Sequence, residues 1–170
     1  LLDELQEAHF SLDLDRQKQL LDRLGERRSV YLNGPHMLDV LLLERLNWGN
    51  DPADVQDLAA FEDCFTQHQR ALWLMAQKRY EEAICLLPVA YAYFGSGYMA
   101  YYHGQYTQAM ERLMQACSLA AEEGRARVIL TARTLLGNCY SDQENYEAMT
   151  RHYQAALRLA TDLRDENAAK

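Results

Sequence analysis

Proline and glycine are scarce, 3 and 8 of 170 residues. That excludes a collagen-like chain or a Pro-rich linker, and it leaves too few turn residues for an all-β sandwich. Basic residues are in deficit, with 17 Lys and Arg against 25 Asp and Glu and a formal net charge of -8. Proteins that live on nucleic-acid phosphates carry basic surfaces, so no nucleic-acid partner is expected for this chain itself. The four cysteines, at 64, 85, 117 and 139, are never two or three residues apart, which removes metal knuckles and CxxC redox pairs. Each falls in an apolar helical pattern, where a free thiol serves as a small hydrophobe; reduced structural thiols and a reducing, cytoplasmic compartment are expected. Long apolar runs are missing as well. Val40–Leu43 is closed off by Asp39 and Glu44, and no stretch nears the roughly 20 residues of a membrane span, so no membrane partner is expected. The opening Leu-Leu-Asp-Glu-Leu-Gln-Glu is acidic and amphipathic, unlike a signal peptide. The first residue is not Met, and we expect one domain of a larger protein.

Catalytic motifs are absent too. Gly95-Ser-Gly97 lacks the third glycine and the lysine of a phosphate loop, and there is no nucleophile elbow, HExxH or Asp-rich calcium loop. The histidines at 9, 36, 68, 103 and 152 are scattered. Only Cys64 and His68 share an i, i+4 spacing, and two ligands make no metal site. The ordinary reading packs Cys64 and turns His68 toward a groove. No catalytic residue, metal or cofactor is assigned.

What is present is helical periodicity. Ala109, Met110, Leu113, Met114, Ala116, Cys117, Ala120 and Ala121 line one face of a helix over Thr107–Glu123. Gly124 follows as a C′ glycine. The pattern resumes at Val128–Tyr140, and again over Tyr146–Leu163. Upstream, helices are expected at Leu2–Phe10, Asp13–Arg27 and His36–Asn47, the last apolar almost all round and closed by Trp48-Gly49-Asn50-Asp51. A long helix is expected over Asp57–Lys78, with Asp51-Pro52 as its start. Pro88 cannot donate to the carbonyl of Ile84, so a helix from about Tyr80 should stop near Leu87 and another run from Val89 to His103. No segment alternates with period two. An all-α chain of about nine helices is expected.

The chain also repeats. Arg79-Tyr-Glu-Glu-Ala83, Gln105-Tyr-Thr-Gln-Ala109 and Asn145-Tyr-Glu-Ala-Met149 each place a polar residue, a tyrosine, two mostly polar residues and a small or slender apolar one at a helix start. With Leu136-Gly-Asn-Cys-Tyr140 ahead of Tyr146, Tyr153 and Ala156, this resembles the tetratricopeptide repeat (TPR) family. The likeness covers residues 65–163 as three units, with Ala71 at the first unit's glycine position and Ala100 where tyrosine is usual in the second. The spacing from Tyr80 to Tyr106 is short of the family's repeat, in keeping with Pro88. Residues 1–64 read as degenerate units with Leu14 at the tyrosine position, and 164–170 as a polar tail that frays. Close helix contacts are expected at Ala83, Ala109, Gly137 and Ala156, with Tyr140 and Tyr146 filling the space near the turn.

The resemblance implies one domain over 1–170, a TPR-like α-solenoid of antiparallel helix pairs with a concave groove that binds a protein or peptide. Carried over position by position, the groove presents Phe65, His68, Leu72 and Met75 in the first unit, Tyr91, Phe94, Tyr98, Tyr101 and Tyr102 in the second, and Thr134, Asn138 and Ser141 in the third. Asn138 matches the asparagine of peptide clamps, but their Lys and Arg partners are missing, so capture of a terminal carboxylate is not implied. Tyrosines with polar tips suit a binding wall; the alternative is a wall filled by the chain's own N-terminal helices. The arginines at 125, 127, 133, 151 and 158 lie near acids and read as a solvated face.

Two further readings stay open. Similar TPR arrays look like the sensor and dimerisation domains of bacterial helix-turn-helix regulators. A helical-bundle enzyme or metal-binding protein is the reading of another class. The last helix carries Leu159 and Leu163 near its open edge, which either a homodimer through that helix or a cap from residues beyond Lys170 is expected to cover, the dimer being preferred.

Overall fold

A computed structural model describes residues 1–46 and 51–169, with backbone alone for 52–54. The chain is all-α: 83% is helical, and the described residues hold nine α-helices, one 3-10 helix and no strand. No helix among them is long and apolar enough to cross a membrane. The chain divides into two compact units, 1–88 and 89–170.

The first unit runs α1 (Leu2–Phe10), α2 (Leu14–Leu32), α3 (Met37–Glu44), a 3-10 helix (Pro52–Cys64), α4 (Gln67–Ala76) and α5 (Tyr80–Leu86). Helix α3 packs on α1, α2 and α4, and α5 on α4. Leu5, Leu20, Leu24, Val40 and Leu42 are wholly buried. Asp13 caps α2 by accepting from the Arg16 N–H at 3.1 Å. That helix runs five residues past the expected Arg27, and Arg28 forks onto Glu44 of α3 at 2.8 and 3.2 Å. Helix α3 is shorter than expected; Asn47 and the Trp48-Gly49-Asn50 closure lie outside the described residues.

The long helix expected over Asp57–Lys78 is two elements. Pro52 opens the 3-10 helix, which ends at Cys64, and Thr66 turns extended with ψ 165. Its hydroxyl accepts from the Gln69 N–H and Gln69 Oε1 accepts from the Thr66 N–H, both at 3.1 Å. This reciprocal capping box starts α4 afresh, satisfying N–H groups that a continuous helix would bond to its own carbonyls.

The second unit runs α6 (Ala90–Tyr102), α7 (Tyr106–Glu123), α8 (Ala126–Asp142) and α9 (Tyr146–Ala168). Each packs on the next, and α6 also meets α8. Pro88 acts as the sequence requires: Leu87 is extended and Val89 precedes α6. Gly124 is left-handed at φ 72. Helix α9 continues through the tail expected to fray, because 164–168 holds neither Gly nor Pro.

Small residues sit where the helices cross. Ala83 and Ala109 are wholly buried and Ala156 is 5% exposed. A Cβ on Gly137 would drive into the Tyr153 ring of α9. Tyr140 stacks on His152 at 5.2 Å, but Tyr146 is 60% exposed and fills nothing.

One turn recurs in both units. Asp13, Arg79, Gln105 and Asn145 each donate their backbone N–H to the carbonyl five residues back, all at 2.9 Å. The residue before each (Leu12, Lys78, Gly104, Glu144) is left-handed, with φ between 54 and 73. The residue after each (Leu14, Tyr80, Tyr106, Tyr146) opens the returning helix. The α7–α8 connection is a fifth case, with Arg125 donating to the Ala120 carbonyl at 2.8 Å behind left-handed Gly124, so five helix pairs close with the same Schellman-type geometry, and two of the five left-handed positions are glycine.

Candidate functional site

The four upstream candidates lie in the first unit. Leu72 and Met75 are each 1% exposed. They belong to the core, because the stripe that carries them also faces the unit's other helices. Phe65 is half-buried against Trp73 at 5.6 Å. His68 is exposed, with Nε2 2.7 Å from Gln6 Oε1. It stands on the rim of a cleft of about 420 Å³ with Asp3, His36 and Asp39, over Leu43 and Leu72. Gln69 Nε2 donates to Asp39 there at 2.8 Å.

The other eight candidates lie in the second unit. Tyr91 and Phe94, 2% and 3% exposed, are core residues at the start of α6 and leave the expected wall. Tyr98 and Tyr101, further along, are half-buried, and Tyr102 is 65% exposed. Steps of four bring rings one above another: Tyr98 meets Phe94 at 6.1 Å and Tyr102 at 4.6 Å. Tyr101 meets Tyr102 at 5.4 Å edge-on and Tyr106 at 5.9 Å. The Gly104 turn folds Tyr106, the first residue of α7, back onto the end of α6. On the opposite side of α6, Arg112 of α7 lies over the Tyr93 ring at 5.7 Å.

Asp142, the last residue of α8, holds this cluster together. Its Oδ2 accepts from the Tyr106 hydroxyl at 3.2 Å, and its charge lies beside the Tyr101 phenol. Burial, with Asp142 alongside, pushes the Tyr101 phenol up to about 12. A hydrogen bond to Tyr102 pushes Tyr98 up to about 12 as well. Tyr98 and Tyr101 are therefore neutral near pH 7. Sequence reasoning missed Tyr106 and Asp142 as members of the site. The available signal for Asp142 was its place one helical turn beyond Asn138.

The α8 candidates are differently placed. Asn138 Oδ1 accepts from the Tyr153 hydroxyl of α9. The exposed Thr134 donates back to the Leu130 carbonyl at 2.9 Å, and Ser141 is half-buried. For the expected dimer edge on α9, Leu159 and Leu163 are half-buried, and the exposed leucine is Leu157 at 68%.

The cysteines divide. Cys117 and Cys139 are buried, as the apolar pattern implies, but Cys64 and Cys85 are exposed, which corrects their reading as core hydrophobes; all four are free thiols. Cys64 ends the 3-10 helix and His68 lies inside α4, so their sequence spacing is not one turn of one helix. No group of three or more His, Cys, Asp or Glu among the described residues is arranged to hold a metal ion. No protein family, curated protein or solved structure matches the chain.

Proposed function

We propose that the chain is a non-enzymatic TPR-like module that binds a protein or peptide segment on the tyrosine face of its second unit. The observation that carries this reading is the cluster of Tyr98, Tyr101, Tyr102 and Tyr106, which reaches solvent with Tyr102 65% exposed. Core packing does not require it, since Gly97 and Tyr93 already serve the α7 side of α6. Tyrosines give a partner large apolar area at low side-chain entropy cost, with hydroxyls left to orient it. The TPR resemblance is supported by the shared turn that closes five helix pairs and by α6 meeting its counterpart α8. Small residues at Gly97, Ala109, Gly137 and Ala156 support it in the same way.

The test is a peptide array probed with the purified chain. Replacing Tyr98 and Tyr101 together with Ala should remove the bound spots while the helical circular dichroism stays unchanged. Retention of the same spots would move the binding surface off this face.

A further inference from the structure

We propose that the tyrosine face takes an arginine side chain of a peptide, its guanidinium lying against Tyr102 and forking onto the Asp142 carboxylate. This rests on the peptide-binding reading above and specifies the chemistry of the partner.

The first argument is where the phenol protons go. Tyr106 donates inward to Asp142 at 3.2 Å, Tyr101 is held protonated by burial beside that carboxylate, and Tyr98 lies against Tyr102 with ring centroids 4.6 Å apart. What the cluster offers to solvent is ring faces, the Tyr102 phenol and the Asp142 carboxylate. The ring faces, the phenol oxygen and the carboxylate all attract a cationic donor, and the carboxylate repels an anion. The second argument is charge. Asp142 is exposed at the cluster, and Glu144 follows two residues later. The whole chain carries -8. A cationic segment is therefore steered toward the chain as a whole.

Geometry favours arginine over lysine. A guanidinium is planar, so it stacks on a tyrosine while its N–H fork meets a carboxylate; an ammonium is a strongly hydrated point charge. The same unit already holds Arg112 over Tyr93 at 5.7 Å. Asp142 is well suited to receive the fork, because the Tyr106 hydroxyl fixes its Oδ2. Asn138 lies one turn earlier on α8. Its Oδ1 is taken by Tyr153, which leaves its amide hydrogens to donate to a backbone carbonyl of the peptide.

The experiment is an NMR titration of the whole wild-type chain with short Gly/Ser peptides bearing arginine, lysine or citrulline, the neutral isostere of arginine. The arginine peptide should shift Tyr101, Tyr102 and Asp142 and bind about tenfold or more tightly than the citrulline peptide. Lysine should fall clearly below arginine. Asp142→Asn should erase the arginine advantage, bringing the arginine peptide to the level of the citrulline peptide in the same variant. The citrulline comparison needs no variant, so it stands even if Asp142→Asn folds poorly. Equal binding of arginine and citrulline, equal binding of arginine and lysine, or shifts confined to the acidic cleft of the first unit would each overturn the inference. If array peptides still depend on Tyr98 and Tyr101 while arginine and citrulline bind alike, the arginine inference falls alone. If no peptide depends on these tyrosines, both readings fall.

Discussion

Replacing Gly137 with Ala sets two effects of opposite sign against each other. Gly137 is in the interior of α8, where Gly→Ala ordinarily stabilises a helix by about 1 kcal/mol. Here the added Cβ would lie 2.9 Å from Cζ of Tyr153 and closer still to Cδ1 and Cε1. Ordinary carbon contacts fall near 3.5–4.0 Å, so the ring must move by roughly 1 Å. It is not free to do so, because its hydroxyl is bonded to Asn138. Breaking that bond costs about 1 kcal/mol, and overpacking the crossing costs about 1–3 kcal/mol. Set against the helix gain, the net is a loss of about 1–3 kcal/mol, and Leu at this position should cost more. Urea titration followed by circular dichroism measures it. The decisive step is the same substitution in a Tyr153→Ala background. With the ring removed only the helix term remains, and Gly137→Ala should turn stabilising by up to about 1 kcal/mol. If the effect has the same sign and size in both backgrounds, the α8–α9 crossing is not what glycine serves.

His9 gives a pH dependence. It is 2% exposed with Nε2 unbonded, and burial drives its pKa from the ordinary 6.5 down to about 4. Between those values the unfolded chain binds a proton that the folded chain refuses. This contribution is therefore complete above about pH 6.5 and is lost as pH falls toward 4, at about 2 kcal/mol between pH 7 and pH 5. His9→Leu should flatten that part of the stability-against-pH curve, and an unchanged slope would refute the assignment. Among the cysteines, burial raises both Cys117 and Cys139, the latter to about 11 with the Asp142 charge adding to it. Iodoacetamide near neutral pH should modify the exposed Cys64 and Cys85 in the native chain and all four in guanidinium. Labelling of Cys139 ahead of Cys64 would contradict the burial.

The sequence by itself determined whatever depends on local backbone chemistry or on the period of apolar residues. Pro88 lacks an N–H and forces its neighbour extended, so the gap between α5 and α6 was readable directly. Gly124 takes a left-handed φ that other residues disfavour, and it ended its helix as expected. Small residues at Ala83, Ala109 and Gly137 mark crossings because only a short side chain lets two backbones approach. The break at Thr66 was also written locally, as Thr66 followed three residues later by Gln69. It was hidden because Phe61, Phe65 and Leu72 keep the apolar spacing across it, and periodicity is blind to a cap. Depth was decided only by tertiary structure. Tyr91, Phe94, Tyr98, Tyr101 and Tyr102 share one helical stripe, and helical spacing fixes a face without saying how far along it neighbours extend. The start of α6 is covered and its end, beside the turn into α7, is open; the first two rings became core and the last three remain accessible. Asp142 joins the site for the same reason. Its bond to Tyr106 spans 36 positions of sequence, and only the packing of α8 beside α6 brings the carboxylate to the phenols.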